Sequence, residues 1–231
     1  MTDPLEGARE LMERRQSGAL VTHLQGWDRV LLSASGEVLA GGTGVGDEVR
    51  DRALDLLRRG KSGTVTTDTE EFFVEAISPP PRLLVFGAGP IAEALCAMAA
   101  MVGFEVEVGD PRPAFAREAR FPAAVSVKVG WPGDLVAEWV PDAATYAVSL
   151  LHEARFEAEL MPALLRSPAR YIGALGSAKT HAARIERLAT EGFSKEDTDR
   201  IHGPVGLTVG AVTPEEIAVA IVAQLVAVRR G

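Results

Sequence analysis

Apolar and polar positions follow two different rhythms along this chain, and the change falls at Pro79, Pro80 and Pro81. Before the prolines the pattern is mixed. Residues 4–16 predict a helix, and "GALVTHLQG" and "RVLLSASGEVLAGG" read as short strands, the second folding back at Ser35 and Gly36. "DEVRDRALDLLRRG" puts Val49, Ala53, Leu56 and Leu57 on one side and stops at Gly60, which predicts an amphipathic helix. "SGTVTTD" and "EFFVEAIS" complete a small α+β unit over residues 1–78. Three consecutive prolines can continue neither a helix nor a central strand, so the domain boundary is expected there.

After the prolines, apolar runs alternate with helical periodicity. Strands are predicted at 83–87, 104–109, 125–129, 145–150 and 170–174, with helices at 90–102, 133–139, 155–166 and 177–191. This is the signature of an α/β fold, a Rossmann-like parallel sheet with helices on both faces, over residues 82–231. "SKEDTDRI" opens as a helix capped by Ser194. "TPEEIAVAIVAQLVAVRR" opens with Thr213 as N-cap, Pro214 at the first helical position and Glu216 closing a capping box. The apolar stretch 217–228 has Gln224 as its one polar member and is too short to span a bilayer. Because it is apolar all round, one side is expected on the core and the other on a second element or a second copy, so the stretch reads either as plain core burial or as a hint of a homodimer.

Composition narrows the class of partner. A net charge of −8 and a pI near 5.1 argue against a nucleic-acid-binding surface. One cysteine, Cys96, excludes an intramolecular disulfide framework and a cysteine-rich metal site, which suits the cytoplasm. The charged opening "MTDPLEGARELMERRQSG" lacks the apolar core of a signal peptide. No membrane association is expected.

The chemistry gathers at two glycine turns. In "GAGPIA", Gly87 permits a tight turn, Gly89 lets backbone approach a phosphate, Pro90 opens the helix and Ala92 is the small residue where helix meets strand. Asp110 follows at the end of the second strand, placed to accept hydrogen bonds from ribose hydroxyls; alternatively the glycines serve packing alone and Asp110 is a turn residue. Arg112 is either a phosphate partner or a solvated charge. "YIGALGSAKTHAARIERL" repeats the logic with Gly176, Ser177 as N-cap and Lys179 in the first turn, an anion site or an ordinary capped helix. The two helix starts are expected to converge on one crevice. His152, in "LLHEARFE", should open onto the sheet's carboxyl edge, and His202 with Gly203 lies in the glycine-rich "IHGPVGLTVG"; each histidine is a ligand contact or a structural cap. His23 and His181 read as structural or surface residues. No Ser/His/Asp nucleophile arrangement, HExxH or Walker A sequence is present, and Tyr146 and Tyr171 fall inside predicted buried strands. A proton-handling constellation beside the glycine turn is therefore not evident.

"YIGALGSAKTHAARIERLATEGFS" and "IHGPVGLTVGAVTPEEIAVAIVAQLVAVRRG", with "FVEAISPPPRLLVFGAG", "DPRPAFA" and "LLHEARF" in order before them, resemble the XdhC/CoxI family from about Pro79 onward. The resemblance implies an accessory protein more than a catalyst. Such a protein would be a maturation factor, or chaperone, that binds the molybdenum cofactor in mono- or dinucleotide form. It would protect the cofactor while a cysteine desulfurase supplies sulfur, then pass it to an apo molybdenum hydroxylase such as xanthine dehydrogenase. An NAD(P)-binding oxidoreductase is the alternative reading of the same turn. The chain departs from the family in several places. "AGGTGVGDEV" lacks the family's cysteine, the arginine pair after Gly-Ser becomes Ala178 and Lys179, Leu151 and Glu153 flank His152, and Thr208 replaces an aspartate. Each change removes a polar or soft group, so a divergent relative with an altered ligand is a further expectation.

Overall fold

The computed structural model describes residues 3–42 and 45–230. Contacts divide it into two compact units, one running to Pro79 and one from Pro80 to Val228.

The first unit begins with α1 (Pro4–Glu13), where Asp3 accepts from the Leu5 amide at 3.0 Å and Pro4 stands at the first helical position. The helix ends before the expected residue 16, and Arg15 adopts φ +54°, which no right-handed helix contains. β1 (Gly18–His23), β2 (Arg29–Ser33) and β3 (Val38–Gly41) follow, then α2 (Asp47–Arg58), β4 (Gly63–Thr66) and β5 (Glu71–Ile77). The strands form an antiparallel sheet in the order β3-β2-β1-β5-β4. The β2–β3 hairpin turns at Ser35 and Gly36, where Gly36 takes φ +87°. α1 packs Ala8 and Leu11 on Leu20 and Leu31, and α2 packs Val49 and Ala53 on Val21 and Leu32. Both faces of β1 are thereby covered, which is why "GALVT" is nearly continuous in apolar residues.

The second unit is α/β. It runs β6 (Arg82–Phe86), α3 (Pro90–Met101), β7 (Glu105–Asp110), a single 3-10 turn at Glu118–Arg120, β8 (Ser126–Val129), α4 (Pro132–Trp139) and β9 (Thr145–Ser149). It continues with α5 (Ala154–Leu165), β10 (Tyr171–Ala174), α6 (Ala178–Thr190), α7 (Lys195–Thr198), β11 (Ile201–His202) and α8 (Pro214–Arg230). All six strands are parallel, ordered β11-β10-β9-β6-β7-β8. Read from β8, that is the 3-2-1-4-5-6 order of the doubly wound fold, whose ligand crevice opens where the winding reverses, between β6 and β9.

Alternation along β6 builds two cores. Leu83 and Val85 join Leu95 and Ala99 of α3 and Ile221 and Leu225 of α8; Leu84 and Phe86 join Trp139 of α4, Leu160 of α5 and Leu188 of α6. Both predicted caps near the C-terminus form. Ser194 and Asp197 make a reciprocal capping box, and Thr213 and Glu216 exchange the same pair of bonds. α8 buries Ala218, Ala220, Ile221 and Leu225 and leaves Val219 exposed. Among the described residues no helix is long and apolar enough to cross a membrane.

Candidate functional site at the carboxyl edge of the parallel sheet

The turn after β6 lies at the switch point. Gly87 takes φ +105°, and a Cβ there would lie 3.1 Å from the carbonyl carbon of Leu150 at the end of β9, so both conformation and close approach require glycine. Gly89, the N-cap of α3, differs. Its backbone is extended and nothing lies within 4 Å of where a Cβ would project, so no packing inside the chain calls for glycine here. Pro90 supplies the first helical position, and Ala92 is fully buried against the sheet. The amides of the first turn have no preceding helical carbonyls to bond, and with the helix dipole they present an anion-binding end at an open position.

Asp110 corrects the ribose expectation. Its carboxylate is fully buried and accepts four hydrogen bonds: from the Ala88 amide at 2.8 Å, and from the Arg112 amide, Nε and one terminal guanidinium nitrogen, each at 2.9 Å. Burial pushes this carboxyl up, but the Arg112 side chain and the two backbone amides outweigh it and hold the pKa below the usual aspartate value. With every acceptor position in use, Asp110 braces the glycine turn and does not present itself to a ribose. Arg112 is not simply a solvated charge either. It is locked onto Asp110, its guanidinium lies 4.2 Å from the centre of the Phe115 ring, and its other terminal nitrogen approaches Glu153, in the loop after β9, at 3.9 Å.

His152 is exposed in that same loop, one residue before Glu153. At the second turn Gly176 takes φ +141°, and Ser177 caps α6 by accepting from the Thr180 amide at 3.1 Å. Gly176, Ser177 and Lys179 are all exposed. The expectation that the two helix starts converge is corrected by the layers. α3 packs on one face of the sheet and α6 on the other, with β9 and its Leu150–Glu153 loop between β6 and β10. The starts share the carboxyl edge, at the ends of strands two spacings apart and on opposite faces of the sheet, with the loop that carries His152 following the strand between them.

His202 belongs to β11, where its ring stacks on Tyr171 at 4.5 Å and 19°, and burial lowers its pKa. Gly203 is glycine for an internal reason, because a Cβ there would overlap the His181 ring. Both residues are partly exposed, and each has a contact inside the chain that accounts for its identity. Three further residues shape this edge. Gln224 of α8 accepts from the Tyr171 hydroxyl at 2.5 Å and from the Gly206 amide at 2.8 Å, so the one polar residue of that apolar stretch ties strand to loop. Arg184 is 5% exposed, ion-paired with Glu157 of α5, and donates to the Leu175 carbonyl at 3.0 Å. His181 meets Arg184 at 3.3 Å. In sequence, "HAARIERL" shows Arg184 as one more surface charge, since the carboxylate that draws it inward comes from another helix.

As a holder of small molecules, the edge offers an open glycine N-cap, first-turn amides, the Ser177-capped start of α6 and the Lys179 ammonium, a donor set suited to phosphate. It offers no soft metal ligand. Cys96 is 1% exposed, burial pushes its thiol up to about 11, and no group of three or more His, Cys, Asp or Glu able to hold a metal occurs among the described residues. Thr43 and Gly44, in the cysteine-less "AGGTGVGDEV" segment, lie outside the described residues.

Known proteins agree with this architecture. The XdhC Rossmann domain matches residues 83–225. A probable xanthine dehydrogenase subunit from Bacillus subtilis (strain 168) is 36% identical over 162 residues, covering 70% of this chain and 47% of the relative. The molybdenum cofactor insertion chaperone PaoD of Escherichia coli (strain K12) is 28% identical over 157 residues, covering 68% and 43%. The chain thus spans less than half the length of either curated relative. A crystal structure described as a xanthine dehydrogenase from Bacillus halodurans superposes with a TM-score of 0.74 at 27% identity, over 98% of this chain and 63% of that one. With most of its second unit matched by the domain, the chain belongs to the XdhC Rossmann-domain family.

Proposed function

We propose that this chain binds the molybdenum cofactor and serves as a maturation factor, holding the cofactor for sulfuration and for insertion into a molybdenum hydroxylase such as xanthine dehydrogenase. The observation that carries the reading is the open N-cap at Gly89 on a turn whose acid is already consumed: the turn offers anion donors, and Asp110 is not free for a ribose. Membership of a family that includes a molybdenum cofactor insertion chaperone supports it.

In this reading the first turn of α3 holds the phosphate end of the pterin, which is a terminal phosphate or the pyrophosphate of a dinucleotide form. Ser177 and Lys179 supply donors from the other face of the sheet, and His152 stands on the loop between them. The cofactor supplies oxygen-atom and electron-transfer chemistry once it reaches the hydroxylase; this chain binds, orients and shields it. No thiol among the described residues competes for the metal, which leaves the molybdenum ligands free for exchange by a cysteine desulfurase. The chain acts in the cytoplasm as a homodimer, with the Val219 side of α8 as the pairing surface.

The oxidoreductase reading is weaker on the same geometry. Asp110 has no acceptor position left for a nicotinamide dinucleotide's ribose, and Tyr146 and Tyr171 are each 1% exposed, out of reach of a substrate carbonyl. The test is genetic. Cells lacking this chain, with any relative also deleted, should accumulate hydroxylase polypeptide that is folded but short of sulfurated cofactor, and the chain supplied in trans should restore it. Full hydroxylase activity in those cells would remove the proposal.

A further inference from the structure

Two loops at the β10–β11 end of the carboxyl edge meet at a single imidazole, which touches Arg184 on one side and packs against Gly203 on the other. One is the turn Leu175–Ser177, which leads into the Ser177-capped helix. Its Leu175 carbonyl is held by the buried Arg184, whose charge is matched by Glu157 of α5. The other is the Gly203–Gly206 loop, held to the sheet by the Val205 amide donating to the Ala174 carbonyl at 3.1 Å and by Gly206 on Gln224. The His181 ring lies between them. Its Nδ1 meets a terminal nitrogen of Arg184 at 3.3 Å, and the same edge of the ring fills the space a side chain on Gly203 would need.

We propose that His181 is a positioning residue, a proton-released latch that joins these two loops while its Nδ1 is unprotonated and frees the Gly203–Gly206 loop when that nitrogen takes up a proton. A guanidinium has only donors, so the contact requires Nδ1 to be the acceptor and the neutral ring to carry its hydrogen on Nε2. Protonation puts a second donor and a second positive charge against Arg184. The charged groups facing the ring are Arg184, one helical turn along α6, and Glu157 of α5; the loop side presents Gly203 backbone, and that loop's own histidine, His202, is turned onto Tyr171. Glu157 is already engaged by Arg184, so its attraction offsets the new repulsion only in part. Burial and Arg184 lower the His181 pKa and Glu157 raises it, with a net shift downward that agrees with the geometry. The latch does not depend on which ligand the edge binds, so its failure would leave the cofactor proposal standing, and the reverse also holds.

The experiment is amide hydrogen exchange of Val205 and Gly206 in the intact chain, read by NMR as protection relative to free peptide. Between about pH 7.5 and about pH 5 the wild-type protection should fall roughly tenfold as the ring takes up its proton. In His181→Asn the amide oxygen can accept from Arg184 and does not titrate, so protection should stay high across the range. His181→Ala should lower it at every pH. A pH-dependence that persists undiminished in His181→Asn would overturn the proposal and assign the titration to another group, His202 first. If the variants do not fold, the wild-type imidazole nitrogen shifts decide: a neutral His181 carrying its hydrogen on Nε2 supports the latch, and a hydrogen on Nδ1 refutes it.

Discussion

Asp110 accepts the Ala88 amide at 2.8 Å, joining the end of β7 to the turn that leaves β6. Glycine turn and acid are therefore one structural unit, and the acid serves the turn instead of a ligand. Replacing it with asparagine sets an NH2 group against donors and removes the Arg112 ion pair, so Asp110→Asn should cost about 1.5–3 kcal/mol in urea unfolding, the range for hydrogen bonds to a charged group. The sign with pH follows from the lowered pKa of the folded state. The carboxylate's contribution is fully present above the ordinary aspartate value and is lost as pH falls through the depressed folded value. Unfolding curves taken down that acid range should lose one downward step in the variant.

Gly87 and Gly89 should separate fold from function. Gly87→Ala puts a Cβ at φ +105° and 3.1 Å from the Leu150 carbonyl carbon, and should destabilise the second unit by about 1–2 kcal/mol or more. A Cβ at Gly89 meets nothing within 4 Å and the backbone angles are ordinary, so in Gly89→Val thermal stability should change little while ligand retention is lost. Equal stability loss in both would remove the distinction on which the site assignment rests.

The order of strands and helices after Pro81 was legible in the sequence because each buried parallel strand is a run of apolar residues and most of the helices carry a cap or a glycine stop. β11 was not, since two residues, Ile201 and His202, cannot display a period. The glycine turn was legible from its spacing, and so was the presence of an acid after it. What that acid does was not, because Ala88 meets it only once β6 and β7 pair in register, and Arg112 folds back onto it only in the turn that follows β7. The same reason hides Arg184 and Gly203. One is drawn inward by Glu157 and the other is kept bare by His181, and both relations exist only across elements.

Lys179 sits exposed in the first turn of α6, where its ammonium adds to the field of the helix start. Lys179→Ala should weaken phosphate-ligand binding about tenfold and flatten its dependence on salt, as expected when one charge-assisted contact is removed. Binding unchanged in both magnitude and salt slope would mark the lysine as a surface charge only.

Cys96 should be silent. Buried at 1% exposure with its thiol pushed up to about 11, it is protonated at neutral pH and out of reach of metal. Cys96→Ala should retain cofactor at wild-type stoichiometry, and a thiol reagent should leave the native chain unmodified. Loss of molybdenum on either treatment would reopen a direct sulfur contact.

Cofactor binding at the glycine turn is tested most directly by what the chain holds when purified from cells making molybdenum cofactor. The wild-type chain should carry a pterin absorbance with molybdenum in proportion to protein, both lost in Gly89→Val and reduced in Lys179→Ala. A tightly held nicotinamide dinucleotide, with neither pterin nor molybdenum, would contradict it.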